Sequence, residues 1–176
     1  RAGFGIIDDE VVREASKQEI IRRYFWYKTE YIKGLQDKDS FSRVELLMED
    51  FKLVPEDRRV VVAAREVLKS KPKDGKDNKC GAAIELHNGE IATGKRSVLM
   101  NATSSVILNA IKIVSGIPDN IHLLSPNVIE SIQNLKKNIL NEKNIRLNLE
   151  ETLISLSISA TTNPTAQLAL SNLKKL

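Results

Sequence analysis

The chain has a single cysteine, Cys80, among its 176 residues, so an intramolecular disulfide is excluded and a reducing cytoplasm is the expected compartment. No apolar run approaches the roughly 20 residues of a membrane span, so no membrane association is expected. No Gly-x-x-x-x-Gly-Lys-Ser/Thr phosphate loop and no His-Glu-x-x-His zinc helix occurs. The 27 basic and 23 acidic residues are mixed along the chain and leave a net charge of only +4. That balance keeps a protein soluble without forming a nucleic-acid stripe, so nucleic-acid binding is not expected. The start at Arg1 shows neither an initiator Met nor a basic-then-apolar signal pattern, and the chain is expected to be a piece of something longer.

What is present suits a soluble globular protein: 41% apolar and 28% charged residues can bury a core. The first third reads as helical. Asp8, Asp9 and Glu10 favour a helix N-terminus, and Ile20, Tyr24, Tyr27 and Tyr31 fall on one face before Gly34 ends the run. A second helix is expected in "SFSRVELLMEDF", with Ser42 and Glu45 at capping-box spacing and Val44, Leu47, Met48 and Phe51 in one stripe. Together they predict a helical hairpin or linker region over residues 1–54 that carries most of the aromatic residues as packing groups. Pro55, Glu56 and Asp57 then open a helix through Val60, Ala64, Val67 and Leu68. "KPKDGKDNK" reads as a solvated loop.

Asn88-Gly89 between two short apolar runs predicts a β-hairpin over residues 80–94 with φ > 0 at both turn positions. "VLMNATSSVILNAIKIVSG" is apolar almost all round, which suits a buried helix ended by Gly116. "IHLLSPNVIESI" (121–132) combines a short buried strand with Ser125 as N-cap and Pro126 as first helical residue. Val128, Ile132, Leu135 and Ile139 are expected on one face of the helix that follows. "NIRLNL" predicts a strand, "EETLISLSISA" a buried helix, and Asn163-Pro164 the start of a last helix.

Helix, loop, hairpin, buried helix, strand, Ser-Pro turn and helix, in that order over residues 55–140, resemble the cytidine-deaminase-like fold. "AAREVLKS", "CGAAIELHNGEIATGK", "MNATSSVILNAI" and "SPNVIESI" carry the resemblance, which implies an α/β fold: a three-layer mixed sheet over residues 55–176, truncated at the C-terminus and preceded by the helical hairpin. The deaminase chemistry needs His or Cys plus two Cys around zinc, and a Glu to shuttle protons. The resemblance places Asn101 at the His/Cys position, Thr103 at the Glu position, and Asn127 and Glu130 at the two Cys positions. Neutral amides and a hydroxyl cannot replace that set. No metal, no other cofactor and no deamination are therefore expected.

A broader resemblance covers nearly the whole chain. "AGFGIIDDEVVREASKQEIIRRY", "CGAAIEL", "LLSPNVIESI" and "LEETLISLSISATTNPTAQLA" resemble the C-terminal half of an uncharacterised bacterial family of cytoplasmic proteins roughly 500 residues long. That resemblance implies a P-loop-like N-terminal half as partner, and continuation past Leu176.

Cys80 is expected to be a buried structural thiol, His87 an exposed turn residue, and His122 a satisfied core or strand-end histidine. Asn101, Thr103, Ser125, Asn127 and Glu130 are expected to converge at strand ends, where helix N-termini direct N–H groups at ligands. Lys95 and Arg96 would stand at the mouth. Two functions follow. One is a metal-free module for domain packing, oligomer contacts (a homo-oligomer among them) or ligand binding. The other is a zinc-independent group transfer on a nucleotide-like substrate. It resembles the formyl-transferring half of the bifunctional purine-synthesis enzyme and would use Asn101, Asn127, Lys95 and His122. No general base is evident for it.

Overall fold

A computed structural model describes residues 9–69 and 80–176. The Lys/Asp/Gly-rich stretch 71–79 and Asp8 lie outside the described residues. The chain divides into two compact units between Val61 and Val62.

In the first unit α1 (Asp9–Ile32) and α2 (Lys38–Asp50) form the hairpin. The aromatic stripe joins them: Phe41 is buried, stacked on Tyr31 at 5.5 Å between ring centroids and lying 6.0 Å from Tyr24. Gly34, at φ 73°, closes α1 as expected. The Leu35 N–H donates to the Glu30 carbonyl and the Gly34 N–H to the Tyr31 carbonyl, a Schellman closure. The capping-box expectation at Ser42 is corrected. Helix α2 begins one turn earlier, because the Asp37 carboxylate accepts from the Ser40 N–H at 2.7 Å and from its hydroxyl. On α1 the Arg22 guanidinium, then that of Arg23, hold the Glu19 carboxyl at about 2. This ion-pair staple is intact above the ordinary carboxylate range and is lost as pH falls toward that value.

Helix α2 ends in the same closure as α1, but with Lys52 at φ 53° in the glycine position. A Cβ in that conformation costs about 1 kcal/mol. Lys52→Gly should therefore stabilise the chain by about 0.5–1 kcal/mol, read as a higher urea midpoint at unchanged slope. A lower midpoint would contradict the left-handed closure.

Pro55–Asp57 forms a separate 3-10 turn and the helix proper, α3 (Arg59–Lys69), starts only at Arg59. The Asp57 carboxylate turns back onto the Val54 N–H at 2.8 Å, which closes that turn on itself. The β-branched run Val60, Val61 and Val62 in α3 is tolerated because the helix is amphipathic and sits partly buried.

The second unit is built around α4 (Ala102–Ser115), buried almost all round as its sequence demands. Strands β1 (Gly81–Glu85) and β2 (Ile91–Lys95) pair antiparallel, Ala83 opposite Thr93. The turn differs from expectation. Only Gly89 has positive φ (79°), with the Gly89 N–H on the Leu86 carbonyl and the Leu86 N–H on the Glu90 carbonyl. This is a three-residue connection with a glycine bulge, so Asn88 need not leave the right-handed region. One face of α4, with Val106 and Ala110, packs on Leu86 and Ala92 of the hairpin. Leu108 and Ile111 enter a larger core with Leu123, Leu124, Ile129, Leu147, Leu156, Ala166 and Ala169. That core is supplied by α5 (Pro126–Asn134), α6 (Leu149–Ala160), α7 (Pro164–Asn172) and their connections.

Among the described residues the sheet has two strands. The strand expected at 121–124 is not a ladder. Its polar backbone is met by side chains instead: Asn163 Nδ2 donates to the His122 carbonyl, and the Ser125 N–H donates to Ser159 Oγ at 2.9 Å. The strand expected at "NIRLNL" shrinks to one parallel bridge, Leu147 with Met100. It cannot lengthen, because Asn148 and Glu151 form the capping box that starts α6.

The expected apolar face of α5 breaks at its end. Leu135–Ile139 is a π turn, with the Leu140 N–H reaching back to the Leu135 carbonyl. The inward face of this helix is that of Ile129, Ile132, Gln133 and Lys136, at i, i+3, i+4 and i+7, so Lys136 is only 5% exposed while Leu135 and Ile139 stand in solvent. Burial alone would push its pKa down. Glu151, with Glu142 behind it, outweighs that and holds it up. Lys136 Nζ bonds Glu151 and the Arg146 carbonyl, each within 3.0 Å, and lies 3.4 Å from Glu142.

Candidate functional site: a basic-rimmed cavity beside α4

Ser105, Leu108, Asn109 and Lys112 fall at i, i+3, i+4 and i+7 on α4, so they share one flank. That flank, the Leu99–Met100 segment and the His122–Leu124 segment enclose a cavity of about 290 Å³. Its floor is apolar: Leu99, Met100, Leu108, Leu123, Leu124 and Ile129. Its rim is polar and basic: Lys95, Lys112, His122, Asn109 and Ser105. Two rim groups are held in place. Lys112 Nζ donates to the Asp119 carbonyl at 2.7 Å, and Asn109 Nδ2 to the Thr93 carbonyl at 2.8 Å. A second cavity of about 310 Å³ shares Leu99, His122, Leu124 and Ile129 as its wall and opens past Pro126, Glu130 and Gln133. Each lies at the small end of the range for ligand pockets.

The expected residues are only partly brought together. Lys95 and His122 meet in the first cavity, and His122 and Glu130 line the second. Asn101 instead opens α4: its N–H donates to the Leu147 carbonyl and its carbonyl accepts from the Ser105 N–H. Thr103 and Asn127 are exposed, and Arg96 is tied through its N–H to the Cys80 carbonyl. Ser125 is the N-cap of α5 without a side-chain cap bond, held through its own N–H by Ser159. None of these five lines either cavity. Of the four residues named for group transfer, only Lys95 and His122 come together.

Two further expectations are corrected. Cys80 is exposed: it lies just before β1 rather than within the strand. His122 is exposed on an unpaired segment and is no strand-end residue. His87 is exposed in the hairpin turn, as expected. Sequence reasoning missed Asn109 and Lys112; their i, i+3, i+4, i+7 spacing with Ser105 and Leu108 was the available signal.

The resemblance to deaminases implies zinc, and the donor set can be tested. The positions that should hold it carry Asn101, Asn127 and Glu130, two neutral amides and one carboxylate, and this set does not fit the metal. Among the described residues no group of three or more His, Cys, Asp or Glu side chains converges.

Among the described residues the chain is helix-rich α/β with a two-strand antiparallel sheet. Residues 56–176 match the family model described as domain of unknown function DUF1846, C-terminal, and residues 1–52 match the DUF1846 N-terminal model. The chain belongs to the DUF1846 family. A UPF0371 protein of Clostridium botulinum (strain Langeland) is 53% identical over 178 residues, covering all of this chain and 36% of the relative. The UPF0371 protein CLL_A2797 of the Eklund 17B strain is 53% identical over 98% of this chain and 35% of its own length. The chain thus spans about a third of the curated relatives it matches. Among the described residues no helix is long and apolar enough to cross a membrane.

Proposed function

We propose that residues 55–176 are a metal-free, deaminase-like module of a longer cytoplasmic protein, preceded by the helical hairpin of residues 1–54, and that the module binds a small anionic ligand with a flat or apolar body, such as a nucleoside monophosphate. The cavity beside α4 carries the reading. Lys95 and Lys112 offer positive charge and His122 a ring nitrogen at its rim, while the Leu and Met floor suits a ring. The deaminase-like, three-layer part of the reading rests on the order hairpin, buried helix, Ser-Pro turn, helix. The Met100–Leu147 parallel bridge beside α4 is the further support for it. The P-loop-like partner half is carried by the family resemblance alone.

The test is thermal shift of this chain with a panel of nucleoside monophosphates, with and without Zn²⁺. A ligand at about 100 times its Kd stabilises by about 2.7 kcal/mol, several degrees for a chain of this size. The shift should persist without zinc and vanish in Lys112→Met and in Lys95→Met. A shift that needs zinc, a shift indifferent to both lysines, or no shift with any member of the panel would overturn the reading.

A further inference from the structure

Helix α1 is 24 residues long, yet Ile21 is its single buried residue. A helix of this kind gains most of its stability from packing an apolar face, and a two-helix hairpin offers little. Along the side facing α2 runs a groove of about 530 Å³ walled by Val12, Ala15, Ile20, Tyr27, Val44 and Leu47. Val12 and Leu47 are 43% and 42% exposed, and Trp26, on the α1 face that carries Ala15 and Glu19, is 55% exposed. Large apolar side chains left open in such a row mark a surface made for another piece of protein.

Two findings say which piece. The hairpin lies within residues 1–52, the part that matches the family's N-terminal domain, whereas residues 56–176 match the C-terminal one. The relatives also carry almost two-thirds of their length beyond the region matched here. By sequence, then, the hairpin is a portion of the N-terminal domain, and its open groove is where the remainder of that domain packs. We propose that the α1–α2 groove is an internal interface of the longer protein, filled by apolar side chains from the rest of its N-terminal domain on the same polypeptide. Glu19 and Arg23 at the groove edge limit the contact to an apolar strip and set its register. This surface is separate from the cavity beside α4, and the inference stands whether or not that cavity binds a ligand.

Hydrogen exchange read on α1 and α2 tests it, comparing this 176-residue chain with the full-length protein. Amides of α1 around residues 15–27 should exchange at least tenfold more slowly in the full-length protein, independently of its concentration. Leu47→Glu in the full-length protein should restore fast exchange there while leaving α4 and α6 protected. Three results would overturn the proposal. Exchange equal in both proteins would leave the groove uncovered. Slow exchange already in the 176-residue chain would mean the chain covers the groove itself. Protection that grows with concentration, together with a doubled mass, would put a second copy there.

Discussion

Gly94→Ala should destabilise the chain by at least about 3 kcal/mol, above the usual range for an added methyl in a core. Strand β2 lies directly on the backbone of α4. A Cβ at Gly94 would fall 2.3 Å from the Val106 amide nitrogen and 2.7 Å from its Cα. The obstacle is helix backbone, which has no rotamer to change, so the hairpin must lift or the helix must bend. Lifting the hairpin also opens the small core of Leu86, Ala92, Val106 and Ala110. Thr93→Ala, one residue away and half-buried, is the control and should cost less than about 1 kcal/mol. The measurement is the urea midpoint of each variant at constant slope. A loss at Gly94 no larger than at Thr93 would refute the close approach of strand and helix. The cavity would feel the same change, since Lys95 follows Gly94 and Asn109 is anchored to Thr93.

The second large effect belongs to Lys136. Glu151→Ala should cost about 2–3 kcal/mol, because it strands a buried ammonium and opens the cap of α6 at once. Glu142 and the Arg146 carbonyl remain near Lys136, which keeps the loss below that of a fully orphaned charge. Lys136→Met in the Glu151→Ala background should recover at least half of the loss, since no buried charge is then left unpaired. A double variant as unstable as Glu151→Ala would show that the cap alone mattered. The pH dependence has a definite sign. The pKa of Lys136 is raised in the fold, so its contribution is complete below the ordinary lysine value and is lost only as pH rises through the higher folded one. Stability near neutral pH should not depend on its titration.

These two sites show where sequence reasoning stops. The Asn88-Gly89 turn was visible in the sequence, but the 2.3 Å approach of Gly94 to Val106 was not, because the side chain is forbidden by the backbone of a helix twelve positions further on. Lys136 sits in a stretch that reads as the polar side of an amphipathic helix. Its position at i+7 from Ile129 and i+4 from Ile132 puts it on the inward face, and what makes a lysine acceptable there is the set of partners, Glu151, Glu142 and the Arg146 carbonyl, that the fold brings from further along the chain.

By itself the sequence determined the elements that local chemistry decides. Gly34 and Gly116 end helices because only a residue free of Cβ strain takes φ > 0 cheaply, and Asn163 and Pro164 start one because cap and fixed φ are local properties. The all-round apolar run made α4 the buried centre, and the Asn-Gly pair located the hairpin. Tertiary structure decided everything that depends on a distant partner. Residues 121–124 form no ladder; the His122 carbonyl accepts from Asn163 and the next N–H, that of Ser125, donates to Ser159. Asn101, Thr103 and Asn127 were kept out of the cavity, and Asn109 and Lys112 were brought to its rim beside Lys95 and His122. A strand needs a neighbour and a binding site needs several segments at once, and neither requirement is written in the residues nearby.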